Sequence, residues 1–286
     1  MPETSTIDPS AEPLTTDGIA ATLRSVGADA CPVLLVHCSL SALGWVCGGA
    51  TAVIQAVLSV AGDEGTIVMP AHSAEYSDPK NWVNPPVPEE WWDTIRRTMP
   101  AFDPRTTPSR EMGAVAEIFR TWPGTVRSNH PTASFAARGP LAAEIVRDQP
   151  LEDPLGADSP LARIAAAGGS VLLLGVGHGS NTMLHLAERS AFGSQQATNS
   201  TGSPIVTDTG RAWQPFAEPD VDSDDFPALG EHLDQVLRGD GNSPPATASL
   251  VTRALGPATV TRMLAAPAVN LAVPWLRDNR TRDGRV

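Results

Sequence analysis

Two short stretches of this 286-residue chain concentrate the side chains able to do chemistry. They are VLLVHCSLSALGWVCGG, from Val33 to Gly49, and VLLLGVGHGSNTMLHLAE, from Val171 to Glu188. In the second, an apolar run and a glycine turn lead into a helix that Asn181 or Thr182 would cap. His185 then sits in the first turn, where the positive end of the helix dipole disfavours an imidazolium by about 0.3–1 kcal/mol. A neutral imidazole is what a general base requires. Glu188, three residues on, shares its helix face. It can accept a proton from one ring nitrogen and steady the cation once formed; alternatively it can bind a substrate ammonium. The bland reading is an ordinary surface pair, and the position just past a strand and a glycine turn argues against it. The Thr182 hydroxyl or nearby backbone N–H groups would face a developing oxyanion. His37, ending the first apolar run, could come near His185; taken alone it reads as a satisfied half-buried histidine.

The first stretch offers a loop with Ser39, Ser41 and Gly44 to Gly49 ahead of a helix. Such a loop presents backbone N–H groups and a partial positive charge to phosphate, or it is a simple turn. It lacks the GxxxxGK[ST] pattern of a P-loop. Cys38 next to His37 suggests a thiol nucleophile, but neighbours in a strand point to opposite faces, so a buried inert thiol is expected. The turn from Gly175 to Ser180 imitates a dinucleotide fingerprint, yet its last glycine is serine and no acidic residue follows at the right distance. There is no GxSxG elbow and no CxxC or HExxH metal spacing.

These residues need elements to position them. A helix is expected from Asp17 to Val26, then a buried strand over Val33 to Val36. Ala50 to Val60 reads as helix and Thr66 to Met69 as the next strand, which makes a βαβ unit. Residues 71–110 form a long insertion with five prolines between Pro79 and Pro108, and a long structureless loop in a compact domain is usually functional. Helices follow over Met112 to Trp122 and Pro140 to Asp148. Ser159-Pro160 is a capped helix start, and Val171 to Leu174 is a second buried strand. Another helix is expected near Ala228 to Leu237. Residues 1–14 read as a polar disordered leader, 15–277 as one domain and 278–286 as a frayed tail.

The chain carries 20 Lys+Arg against 32 Asp+Glu, a net charge of −12. That balance repels nucleic acid; it attracts polycations to an acidic cleft or simply confers solubility. Three cysteines crowded between positions 31 and 47 are no disulfide framework. No apolar run spans a bilayer and no signal peptide is visible. The expectation is a cytoplasmic protein without a membrane or nucleic-acid partner.

Taken together, LLVHCSLSALGWVCGG, GTIVMPAHS, VRSNHPTASFAARGP, DSPLARI and VLLLGVGHGSNTMLHLAE, in that order, resemble the aminoglycoside N3-acetyltransferase family. FAEPDVDSDDFPALGEHLDQ extends the match. The resemblance implies a three-layer α/β/α sandwich around a largely parallel or mixed sheet, distinct from the GCN5-type acetyltransferase fold. It implies acetyl-CoA as co-substrate, no metal, and transfer to the 3-amino group of a 2-deoxystreptamine aminoglycoside, conferring antibiotic resistance. The family's functional histidine falls on His185, with Glu188 completing the HLAE motif and His37 ending the first strand. CoA would be held by Ser39, Ser41, Gly44, Val46, Cys47, Gly48 and Gly49, with Ser134 and Phe135 contributing. Candidate carboxylates for the acceptor are Glu75, Asp78, Asp153, Asp220 and Asp222, with the insertion shaping that pocket. The molecule would work as a monomer or homodimer. Competing readings are an NAD-type oxidoreductase built on the GVGHGS turn and a non-catalytic polyamine-binding protein.

Overall fold

The computed structural model describes residues 12–238 and 248–282; the first eleven residues of the expected 1–14 leader and the last four of the expected tail lie outside them. In chain order the elements are α1 (Thr16–Ser25), β1 (Val33–Cys38), α2 (Gly49–Ala61), β2 (Thr66–Pro70), α3 (Trp92–Thr98), α4 (Gly113–Arg120), β3 (Val126–Arg127), β4 (Phe135–Arg138) and α5 (Ala142–Val146). Then follow α6 (Pro160–Ala166), β5 (Ser170–Leu174), α7 (Met183–Phe192), β6 (Thr198–Thr207), β7 (Gly210–Pro219), α8 (Phe226–Leu237), β8 (Leu250–Leu255), β9 (Ala258–Leu264) and α9 (Ala265–Arg282).

Among these residues seven strands form one mixed sheet in the order β3-β4-β2-β1-β5-β9-β8. The centre is parallel: β1 pairs with β2 and with β5, His37 lying opposite Leu173. The flanks, β4 and β9, run antiparallel. Burial on both faces explains the unbroken apolar runs of β1, β2 and β5, whose alternate side chains feed two separate cores. Leu34 and Val36 pack into a core with α1, α2 and α4. Val33 and Leu35 pack into one with α5 to α9. The result is three layers, as the resemblance implied.

Several boundaries differ from expectation. α1 starts at Thr16, one residue before the expected Asp17, because Thr15 caps it, its hydroxyl accepting from Gly18 N. The leader is pinned before its expected end: Leu14 bridges Val46, donating to Trp45 O at 3.0 Å and accepting from Cys47 N at 2.8 Å. The insertion is built rather than structureless, holding three single-turn helices and α3. At the other end α9 runs through Arg282 instead of fraying after 277, because Arg280 is anchored in the interior. A long hairpin, β6–β7, stands apart from the main sheet.

Candidate active site

The parallel strands β1, β2 and β5 end on the same side of the sheet, where open α/β folds collect ligands. A cavity of about 1130 Å³ opens there. His185 lines it from the third position of α7. The helix is started by Asn181, whose side-chain oxygen accepts from Met183 N at 3.2 Å. His185 Nδ1 is 2.8 Å from Glu188 Oε2, and the Glu188 side chain is fully buried. The carboxylate does not line the cavity; its Oε2 faces the ring. Its other oxygen, Oε1, accepts from Gln196 Nε2 at 3.1 Å, from Asp222 N at 3.0 Å and from Arg280 Nη1. Burial works against the Arg280 charge, but hydrogen bonds with Asp225 and the field of Glu188 outweigh it and raise the guanidinium's pKa. With Nδ1 engaged, Nε2 is the ring nitrogen left for chemistry at the cavity. Phe226 holds the ring from the side, with centroids 4.8 Å apart.

Thr182 and His37 also line the cavity. Burial holds the His37 imidazole neutral and lowers its pKa to about 3, which makes it a weaker base than an ordinary imidazole. His72, which also lines the cavity and was not singled out from the sequence, is likewise lowered to about 3, first by burial and then by the neighbouring His185, His130, His37 and Arg127. Cys38 lines the wall too, and burial pushes its thiol up to about 12, so no thiolate forms there.

On the side of the first stretch, Ser39, Ser41, Gly44, Val46 and Gly49 line the cavity, together with Trp45. Gly48 and Gly49 have φ of +91° and +55°, the left-handed conformation that lets the chain turn abruptly into α2. Gly175, at φ +64°, brings the turn after β5 against this loop: a Cβ there would lie 3.3 Å from Ser39 O. Cys47 and Gly48 sit in the loop without lining the cavity. Ser134 and Phe135 do not line it either. Ser134 is buried, donating to Ala71 O at 2.8 Å and accepting from Arg127 Nε at 2.8 Å. Phe135 is a core residue of β4 packed edge-on against His72, while Thr132 and Ala133 just before them reach the cavity.

Of the expected acidic residues, Asp153 and Asp220 line the cavity. Asp153 is paired with Arg189 at 2.9 Å, and Asp220 accepts from Asn199 Nδ2 at 2.8 Å. Glu75 and Asp222 are not among the lining residues. Asp78 is a structural ion-pair partner, 2.7 Å from Arg96. Two further carboxylates, Glu111 and Glu218, complete the lining, and burial raises the Glu218 pKa. Glu218 lies within the FAEP stretch already noted, but Gln196 and Arg280 carry no local signal; only the tertiary structure brings them to Glu188. Arg127 is also new: from β3 its guanidinium donates to Thr107 O and Ser73 Oγ, tying both ends of the insertion to the sheet. Among the described residues no group of His, Cys, Asp or Glu is arranged to hold a metal ion, and no helix is long and apolar enough to cross a membrane.

A family model described as aminoglycoside 3-N-acetyltransferase matches residues 35–277. The aminoglycoside N(3')-acetyltransferase-like protein YokD of Bacillus subtilis strain 168 is 45% identical over 221 residues, 77% of this chain and 80% of that one. Its crystal structure superposes with a TM-score of 0.89, covering 98% of this chain and 99% of that one at 38% identity. Aminoglycoside N(3)-acetyltransferase IX of Micromonospora chalcea is 37% identical over 228 residues, 79% of each chain. A structure of AAC-IIIb in a binary complex with CoASH matches with a TM-score of 0.79 at 29% identity, covering 95% of this chain and 98% of that one.

Proposed function

We propose, from the premise that this chain belongs to the aminoglycoside 3-N-acetyltransferase family, that its cavity is where an acetyl group passes from acetyl-CoA to the 3-amino group of a 2-deoxystreptamine aminoglycoside, with His185 as general base. The role is antibiotic resistance, carried out in the cytoplasm by a monomer or homodimer. One observation carries the assignment of the base: a cavity-facing imidazole whose Nδ1 is held at 2.8 Å by a buried carboxylate. That arrangement fixes the tautomer with a proton on Nδ1 and leaves Nε2 as acceptor.

The chemistry balances within these groups. The amine nitrogen attacks the acetyl carbonyl carbon while His185 Nε2 takes one of its protons. The C–S bond breaks, and the departing CoA sulfur receives that proton back from the imidazolium. Positioned base catalysis contributes about 10²–10⁴-fold. The Thr182 hydroxyl is a candidate donor to the carbonyl oxygen as it gains charge. A well-aimed donor of this kind is worth about 2.7–4 kcal/mol. Ser39, Ser41, Gly44, Val46 and Gly49 form the CoA side. Asp153, Glu218 and Asp220 form the acceptor side, where each ammonium drawn from water needs a counter-charge. The net charge of −12 favours arrival of such polycations.

The test is release of CoA thiol from acetyl-CoA with gentamicin-, kanamycin-, neomycin- and apramycin-type acceptors. The wild type should turn over at least one of them. His185→Ala should lose most turnover and still bind CoA; near-normal turnover by that variant would show that another group is the base. A flat trace across the whole panel would point to a protein that only binds polyamines.

A further inference from the structure

Gln196 follows the turn that ends α7, eight residues beyond the HLAE motif. Its amide group nevertheless joins three parts of the site. Nε2 donates to Glu188 Oε1 at 3.1 Å and to the backbone oxygen of Asp220 at 2.8 Å. Oε1 accepts from Arg189 Nη1 at 2.7 Å, and that same guanidinium holds Asp153 through Nε at 2.9 Å. The orientation of the amide is fixed by its partners. A reversed amide would aim N–H groups at a guanidinium and its oxygen at a carboxylate and a carbonyl. One neutral side chain thus touches the carboxylate that orients His185 and, at one remove, both acidic residues expected to hold acceptor ammonium groups. Asp153, Arg189 and Asp220 all line the cavity with His185.

We propose that Gln196 is a positioning residue that sets the register between the acceptor's ammonium partners and the catalytic base, and so determines which amines are turned over. The inference rests on the aminoglycoside reading above and adds to it a residue that selects among acceptors. The physical reason is geometric. An acceptor gripped by Asp153 and Asp220 presents its reacting nitrogen at a position fixed by those two residues. His185 Nε2 stands at a position fixed by Glu188. Gln196 is the shared strut, and a misplacement of about 1 Å between attacking atom and base costs on the order of 10²-fold in rate. An acceptor too small to reach the carboxylates does not depend on the strut. Glutamate cannot replace glutamine here, because its charge would face Glu188 and its oxygens could not donate.

The experiment compares a full aminoglycoside with free 2-deoxystreptamine in the thiol-release assay, for wild type, Gln196→Met and the shorter neutral amide Gln196→Asn. The expected result is a fall of roughly 10²-fold in kcat/KM for the aminoglycoside. Turnover of 2-deoxystreptamine and the KM for acetyl-CoA should change little, so the preference for the larger acceptor collapses. Asp220→Asn, which keeps the backbone oxygen but loses the charge, should have a much smaller effect in the Gln196→Met background than in wild type. Equal losses for both acceptors, or unchanged discrimination, would overturn the proposal, because a merely structural role lowers both alike. Should Gln196→Met fail to fold, as judged by circular dichroism, Gln196→Asn, which keeps a neutral amide but is one methylene too short to span the same partners, separates the same two outcomes. No thiol release by wild-type protein with any acceptor would instead defeat the acetyltransferase reading itself.

Discussion

Replacing Glu188 by glutamine changes the fewest atoms at the site and should remove most of its activity. Glu188 Oε1 faces three donors, from Arg280, Gln196 and the backbone of Asp222, while Oε2 faces only His185 Nδ1. Glutamine has one acceptor oxygen. Three donors, one of them a guanidinium, hold that oxygen on the Oε1 side and turn the NH₂ toward Nδ1. The ring must then accept at Nδ1 and carry its proton on Nε2, the nitrogen that has to take a proton from the amine. The imidazolium of the transition state also loses its counter-charge. At 2.8 Å and an effective dielectric constant of about 20, that attraction is about 6 kcal/mol before the opposing charge of Arg280 is counted. In a triad of the same logic, an Asp-to-Asn change that leaves geometry intact but yields the wrong tautomer lowers kcat by ~10⁴. Here a loss of kcat of about 10³–10⁴-fold is expected, with the affinity for CoA, measured by calorimetry, unchanged. A Glu188→Gln enzyme retaining a tenth or more of wild-type kcat would refute the tautomer argument and leave Glu188 as packing.

Two further outcomes follow from burial. Burial lowers the histidines His37 and His72 to about 3 and His130 to about 4, so between those values and about 6.5 the unfolded chain binds protons that the folded chain refuses. Stability should therefore be full above pH 6.5 and fall as pH drops toward 4, by about 1.4 kcal/mol per pH unit for each histidine; a urea midpoint that stays flat from pH 7 to pH 4.5 would show that these rings are not excluded from protonation. Separately, a Cβ at Gly230 on α8 would lie 2.3 Å from Cγ of His178, in the turn that carries Gly179 and Ser180 into the cavity wall. Gly230→Ala should lower thermal stability by about 1–3 kcal/mol through overpacking, and an unshifted melting temperature would mean that the turn yields freely.

What the chain reveals before folding is whatever is local. The strands β1, β2 and β5 announce themselves because a parallel sheet covered on both faces needs only apolar residues, and their runs have no other use. Ser159-Pro160 starts α6 as expected, with the Ser159 hydroxyl accepting from Ala162 N. The antiparallel flanks were opaque for the opposite reason. β3 and β4 span only two and four residues. In the hairpin, β6 opens on three exposed residues, Thr198 to Ser200, then buries the run from Thr201 to Pro204, so neither an alternating nor a fully apolar pattern marks it. α9 is held by Arg280, a charge that reads as surface until its partners are known.

The same division runs through the site. His185 and Glu188 are three residues apart on one helix, so their 2.8 Å contact follows from helical geometry alone. The carboxylate's other partners come from outside that helix: Gln196 from just past its end, Asp222 from the segment after β7, and Arg280 from 92 residues beyond Glu188. A buried carboxylate is tolerable only when such donors converge on it, since an unpaired charge in the interior is costly. The HLAE motif therefore demands a cation somewhere in the fold, and no spacing rule says where. Arg280 supplies it from the segment expected to fray after 277, and its contacts with Glu188 and Asp225 hold that end of α9 against the site.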